Sequence, residues 1–305
     1  MESFDTENIL VKIAILHHSR TDPKKAIYLL YHCCQYWVQQ GHSIVHINGT
    51  DSPLPAADLL ILHVNLSVVP QAYIEIARNY PVVINKSVID ITRHVFSENI
   101  IDQNDIYDGP VIVKTRNNYG GMPERKINGM NGKYIFDTIK VFLWQRSGWL
   151  RSRSSVEWLA NYPVYESSRE VPLKIWQNKN LVVEKFLPER GSNGDYQVRE
   201  WLFLGDREIH YINICRDPVI RGHNTYRREY LAPDDVPVEL RTTRTKLGFD
   251  YGKFDYVIYN GKPVLYDINK TIGIAPNTKD RPGAFEYIKA FSQGIEFYQQ
   301  VTAGQ

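Results

Sequence analysis

Asp267 and Asn269 stand two residues apart in VLYDINKTIG, Val264 to Gly273. On a strand that spacing puts both side chains on one face. Asp255 lies on the preceding strand of the same hairpin, KFDYVIYNGKPVLYDIN. Two carboxylates and an amide oxygen form a hard-oxygen set of the kind magnesium takes, water and phosphate oxygens completing the shell. Register decides whether the set exists. A two-residue turn at Asn260-Gly261 pairs Tyr259 with Lys262 and sends Asp255 and Asp267 to opposite faces. A three-residue loop, or one bulge, returns them to the same face. Asn-Gly favours the two-residue turn. From the hairpin alone, a metal site and a pair of solvated strand-end acids both stand.

Lys114 interrupts an apolar strand in PVIVKT. Such a lysine either snorkels at an edge or is aimed at an anion. The loop that follows, NNYGGMPE, places Gly120 beside Gly121, where backbone N–H groups can close over phosphate oxygens. Neither GxxxxGK[ST] nor GxGxxG occurs in the chain. In LVVEKFLPE, Glu184 through Leu187 either offer main-chain groups to an adenine edge and an acid to ribose hydroxyls, or form an ordinary linking strand.

The elements that must position these residues read as follows. Val11–Leu16, Ser43–Ile47, Ala57–Val64 and Pro81–Asn85 are strands. Helices lie between them: one opens at Pro23 and stops at Gly41, another covers Pro70–Tyr80. This alternation predicts a parallel α/β sheet over residues 1–92, which binds ligands beyond its carboxyl strand ends. His17 and His18 lie at such an end, as a polar loop or a substrate contact. A central unit over 93–180 holds strand Val111–Thr115, the glycine loop Arg116–Pro123 and a second strand leaving it. The basic stretch Trp144–Arg153, with basic residues beside tryptophans, reads as an exposed, poorly packed helix end, with a substrate or nucleic-acid patch as the alternative. The last unit, 181–305, holds hairpins turning at Gly205-Asp206 and Asn260-Gly261, an arginine-rich loop RDPVIRGHNTYRREY suited to an anionic substrate, and a closing amphipathic helix from Gly283 to Gln300.

The chain has 305 residues, 43% of them hydrophobic, which suits compact units with real cores. Its net charge of +2 gives no general basic field for nucleic acid. Cys33, Cys34 and Cys215 have neither disulfide-framework nor zinc spacing. With no basic flank and apolar core at the start, and no membrane-length apolar run, a cytoplasmic protein off the membrane is expected.

In their order along the chain, these pieces resemble the ATP-grasp superfamily, including glutathione synthetase-like and ribosomal-protein-modifying glutamate ligases. The run is strand lysine, glycine loop, VVEKF hinge, strand arginine, then Asp and Asp-x-Asn, from about Lys86 to Gly273. The resemblance implies an α/β and α+β fold, with an N-terminal Rossmann-like domain before the two ATP-grasp subdomains. It implies ATP with magnesium, or manganese in its place, and an acyl-phosphate route joining a small-molecule or peptide carboxylate to an amine. A hydroxyl kinase and a nucleotide binder without turnover are the alternatives, and a homodimer is allowed. By resemblance, Lys114 meets the phosphates and Gly120 and Gly121 cover them. Glu184, Lys185, Phe186 and Leu187 hold adenine, and Glu184 or Asp195 takes the ribose. Arg216 lies near the transferred phosphate, and Arg199 is a second arginine about one residue off register. Asp255, Asp267 and Asn269 bind the metal, with Asp where the family commonly has Glu. An earlier ATP-contacting cation falls to Lys86 or Arg93. A structure with Asp255 and Asp267 on opposite faces of the sheet would end the metal reading.

Overall fold

The computed structural model describes residues 10–23, 27–128, 162–222, 224–274 and 284–303. The basic stretch Trp144–Arg153 lies outside them.

The first unit alternates β1 (Lys12–His17), α1 (Leu29–Gln39), β2 (Ser43–Asn48), β3 (Leu59–Leu62), α2 (Gln71–Ala77) and β4 (Val82–Ile84). The strands are all parallel, in the order β2-β1-β3-β4. β1 is apolar on both faces because both are covered. Ile13 and Ile15 pack with Trp37 and Cys33 of α1, while Ala14 and Leu16 meet Tyr73 and Ile76 of α2. The helix expected from Pro23 begins only at Leu29. Tyr28 is held extended and pairs with Gly273, so a distant segment overrides the local start signal.

A short helix α3 (Arg93–Phe96) leads to β5 (Ile100–Ile101) and β6 (Val111–Thr115). The second strand expected after the glycine loop is instead α4 (Met122–Asn128). Pro123 costs nothing in a first helical turn, Glu124 favours that turn, and MPERKIN has no β-branched run to favour a strand. After β7 (Val164–Tyr165) and α5 (Leu173–Trp176) comes β8 (Leu181–Lys185), the hinge strand. It pairs with β5 and β6, so the order of this antiparallel sheet is β5-β8-β6-β7.

The largest sheet runs β12-β11-β10-β13-β14, with β9 (Glu189–Arg190) beside β10. Its strands are β10 (Tyr196–Leu204), β11 (Arg207–Cys215), β12 (Arg227–Leu231), β13 (Tyr251–Tyr259) and β14 (Lys262–Asn269). β12 draws the end of the arginine-rich segment into the sheet, where a loop is expected. α6 (Val238–Leu247) packs Leu240 on one face of the sheet, against Trp201 and Phe254. On the other face Leu202 and Leu204 join the core built around Trp37. The closing segment is two helices, α7 (Ala284–Ser292) and α8 (Glu296–Ala303). They part at Gly294, where a Cβ would stand 2.0 Å from the Leu204 carbonyl oxygen, so the chain crosses the β10 end at a distance only glycine permits. Among the described residues, no helix is long and apolar enough to cross a membrane.

Both features of the register question occur at once. Asn260 and Gly261 have φ of +50° and +76° and form the two-residue turn, pairing Tyr259 with Lys262. The register then shifts by one residue between Asp255 and Tyr256: Tyr256 pairs Leu265, whereas Asp255 pairs Asp267. The bulge brings the two carboxylates directly opposite one another on the same face.

Lys270, next after Asn269, is 1% exposed, and its ammonium donates to the Val88 carbonyl at 3.4 Å. Burial pulls its pKa down to about 7, against the opposing pull of Asp90 and Glu124. Between that value and the ordinary lysine value the unfolded chain holds more protons than the folded one. This lysine's contribution therefore makes stability rise with pH through that window and lie lowest below it. Lys270→Met is expected to melt above the parent at about pH 6, with the gap narrowing toward about pH 10. A gap independent of pH in paired thermal melts would contradict the burial argument.

Candidate active site

Glu200, Asp255 and Asp267 form one row across three strands, because Glu200 pairs Asp255 on one side and Asp267 pairs it on the other. One step along, Lys253 pairs Asn269, so the amide shares the face of the acids. The Lys253 ammonium lies 2.9 Å from Glu200 Oε2 and 2.9 Å from Asp255 Oδ1. Glu200 also accepts from the Tyr211 hydroxyl at 2.5 Å and from Asn213 Nδ2 at 2.6 Å. Burial pushes Glu200 upward, but Lys253 and the Tyr211 donor outweigh it and hold the carboxyl below its usual range. Asp255 goes the other way, to about 7. Burial leads, Lys253 opposes it, and the charges of Glu200 and Asp267 add to the rise. Lys253 is disfavoured by burial, yet the carboxylates on both sides keep it firmly protonated.

Facing this row are two buried cations. Lys114 on β6 is 6% exposed and bonds Glu184 Oε2 at 2.8 Å. Its ammonium lies 4.7 Å from the centre of the Tyr266 ring. Arg93 donates from Nε to the Thr115 carbonyl at 3.0 Å and from Nη1 to the Tyr266 carbonyl at 2.8 Å. It lies 3.7 Å from Glu184 and 3.5 Å from Asp267. Arg93 thus ties the Lys114–Glu184 pair to the acid row, whereas Lys86 is exposed. Burial alone would raise Glu184; the two cations hold it below its usual range. Burial pulls Lys114 down, and Glu184 only partly restores it.

The glycine loop lies against the amide end of the row. Asn118 Nδ2 donates to Asn269 Oδ1 at 2.6 Å and to the Ile268 carbonyl at 3.0 Å. Its own N–H donates to Ser67 Oγ at 2.9 Å, and the Ser67 N–H donates to Glu124 at 2.6 Å. Tyr119, Gly120 and Gly121 have φ of +49°, +68° and +68°, a left-handed run that two of the three residues, as glycines, adopt without strain.

The hinge is more occupied than expected. Glu184 is 2% exposed and faces Lys114. The Lys185 and Phe186 N–H groups donate to Asn99 and Pro110 carbonyls at 2.8 Å each, and the Leu187 carbonyl accepts from the Tyr266 hydroxyl at 2.6 Å. Of the two ribose candidates, Asp195 is the accessible one; it accepts from the Tyr226 hydroxyl. Arg216 is exposed at the end of β11, 5.7 Å from the Tyr226 ring, so these three residues adjoin. Arg199 is not brought to the row. Strand alternation turns it to the opposite face from Glu200, where it forms a two-point bond with Glu189. His17 bonds His46 at 3.0 Å, and burial with that neighbour holds it down at about 3, a neutral polar contact beneath the strand ends. Next to it, His18 stacks on Tyr73 at 5.6 Å.

Sequence reasoning misses Glu200, Lys253 and Asn118. Glu200 stands just before the apolar run Trp201–Leu204 of β10, next to Arg199, and its face at the site depends on the β13 register. Glu184→Gln is expected to leave Lys114 without its counter-charge and Arg93 with Asp267 alone, and to destabilise the fold by about 3 kcal/mol. Asp108→Ala, which breaks an exposed pair with Arg169, should leave the melting temperature nearly unchanged. Equal effects in denaturant titrations would refute the buried charge lattice.

No protein-family model matches the sequence, and no curated protein matches it in sequence. Solved structures do match in fold. A RimK-domain ATP-grasp protein from Sphaerobacter thermophilus DSM 20745 aligns with a TM-score of 0.50 at 11% identity, covering 94% of this chain and 98% of its own. The D-cycloserine synthetase DcsG aligns at 0.50 and 9% identity, covering 92% and 99%. With a parallel sheet leading into two antiparallel sheets that enclose the charged site, the chain has the ATP-grasp fold.

Proposed function

We propose that the protein is an ATP-dependent carboxylate–amine ligase. The observation that carries this reading is the Asp255–Asp267 pair, set opposite by the bulge and faced by Lys114 and Arg93. The residues fit magnesium. The set is all oxygen, and two carboxylates with one amide suffice when phosphate and water supply the other positions. Among the described residues, no group of three or more His, Cys, Asp or Glu side chains is placed to hold a metal ion by itself, so in this reading phosphate and water oxygens would have to supply the remaining ligands. Bound there, magnesium or manganese would neutralise phosphate charge.

In this reading Asp255, Asp267 and Asn269 hold the ion, and Lys114 and Arg93 face the phosphates. Gly120 and Gly121 cover them and keep water out. The segment Glu184–Leu187 walls the adenine, and Asp195 receives the ribose. A substrate carboxylate oxygen attacks the γ-phosphorus, forming an acyl phosphate as the bond to ADP breaks. The amine nitrogen then attacks the acyl carbon, phosphate departs, and Arg216 offsets the charge on the oxyanion. Phosphoryl transfer to a carboxylate depends on position and charge rather than on a general base. The arginines around Arg216 suit an anionic acid. DcsG, one of the structures similar in fold, is a D-cycloserine synthetase by name, and the other is a RimK-domain ATP-grasp protein.

ATP with magnesium should raise the melting temperature, by mass action worth about 2.7 kcal/mol at a hundredfold excess over Kd. No magnesium-dependent shift with ATP would count against the reading. Incubation with ATP and panels of acids, amines and alcohols should release ADP only with acid and amine together, and mass spectrometry should show an amide; a phosphorylated alcohol would mark a kinase instead.

Lys114→Ala should weaken ATP binding more than it lowers stability. Asp267→Asn removes the repulsion from Asp255 and the attraction to Arg93 together, so stability of the free protein should change little. The substitution should cut magnesium-dependent turnover by at least about tenfold to a hundredfold, the range already seen for outer-shell partners of metal ligands. Unchanged turnover would remove Asp267 from the site.

A further inference from the structure

Arg228 on β12 pairs Asn213 on β11, which lies two residues from Tyr211, and Tyr211 pairs Glu200 on β10. Strand alternation puts all four side chains on the face that carries Lys253 and the acid row. The Arg228 guanidinium is half-buried, lies 3.9 Å from the centre of the Tyr211 ring and donates from Nε to Asn213 Oδ1 at 2.9 Å. Asn213 is itself fixed: it is 3% exposed and donates to Glu200 Oε1 at 2.6 Å. With one face stacked and Nε bonded, the guanidinium is left to act end-on, through Nη1 and Nη2 together. Glu200 cannot take that pair, because its oxygens already accept from Tyr211, Asn213 and Lys253. Among the described residues Arg228 enters no ion pair, whereas its neighbour Arg227, on the other face, pairs with Glu229 at 2.9 Å.

A fork held in this way matches the two oxygens of a carboxylate and loses little freedom in binding them. β12 is the outermost strand of its sheet, three strands from β13 and its Asp255. The reacting carboxyl belongs at the metal end, beside the γ-phosphate, so the group held by Arg228 is a different one. We infer that Arg228 is a specificity-determining residue that binds a second, unreacting carboxylate carried by one of the two substrates. The inference rests on the ligase reading above and adds to it a feature of the substrate and the residue that reads it. Tyr211 and Asn213 set the fork in place. A lysine there would keep the charge but lose both the stack and the two-point bond.

The test reads binding by calorimetry, with the full chain saturated with magnesium and the non-hydrolysable analogue AMP-PNP. One set of probes is succinate, glutarate, adipate and pimelate, each against its monoamide, as the acid substrate. The other is L-alanine, L-lysine and L-glutamate, each against its α-amide, as the amine. In one set the carboxylate form is expected to bind at least about tenfold more tightly than its amide. That set identifies which substrate carries the group. Arg228→Lys and Arg228→Gln are both expected to abolish the preference while AMP-PNP binds as in the parent. No preference in either set, or one that survives both substitutions, would overturn the inference and leave the nucleotide site intact. Loss of AMP-PNP binding in both variants would make Arg228 part of the nucleotide site or of the fold, and would overturn the inference as well. Failure of the parent itself to bind AMP-PNP with magnesium would overturn the ligase reading, and this inference with it.

Discussion

Everything at the site depends on one extra residue in a hairpin. The turn at Asn260-Gly261 imposes an even register, and an even register puts Asp255 opposite Tyr266, with Asp267 on the wrong face. The shift between Asp255 and Tyr256 restores the pairing of the two acids. Two tyrosines show why the strands accept it. Tyr256 is buried against His210, whose Nε2 lies 2.8 Å from the tyrosine hydroxyl, and Tyr266 reaches across to the Leu187 carbonyl. Each is anchored outside the hairpin, so the irregularity is held by tertiary contacts rather than by local sequence.

Once the acids share a face, like charges crowd together, and the fold interleaves cations among them. Glu200, Lys253, Asp255, Asp267, Arg93, Glu184 and Lys114 form a chain of neighbours in which cations separate or flank the carboxylates. The acids meet along the row, Glu200 beside Asp255 and Asp255 beside Asp267, and the middle one, Asp255, carries the raised pKa. Lys253 lies between Glu200 and Asp255, and Arg93 lies beside Asp267, so each like-charge contact has a cation at its side.

Much of this was legible before any coordinates. The parallel sheet follows from apolar strands alternating with helices; Lys114 lies on the strand read for it, the glycine pair in the turn after it, and Asp-x-Asn at the end of a strand. What was not legible shares a physical cause. The bulge, the face of Glu200 and the reach of Arg93 depend on partners far away in sequence, from Arg93 to Tyr266 for example. The helix after the glycine loop could have been anticipated from Pro123 and Glu124. The late start of α1 could not, because Gly273 holds Tyr28 extended.

The first unit and the large sheet are fastened to each other at several points. Trp37 donates to the Ser292 carbonyl at 2.8 Å, Asn85 bonds both Asp250 and Tyr251, and Leu29 donates to the Ile272 carbonyl. They share one core and act as an anvil. The β5-β8-β6-β7 sheet is the hammer, joined to the anvil at the site mainly through Arg93 and Asn118. If a nucleotide is held between them as proposed, its release would require the jaws to part at Arg93–Tyr266, Asn118–Ile268 and Tyr266–Leu187. The slow step of a catalytic cycle built on such a clamp would lie in opening it, not in the chemistry it encloses.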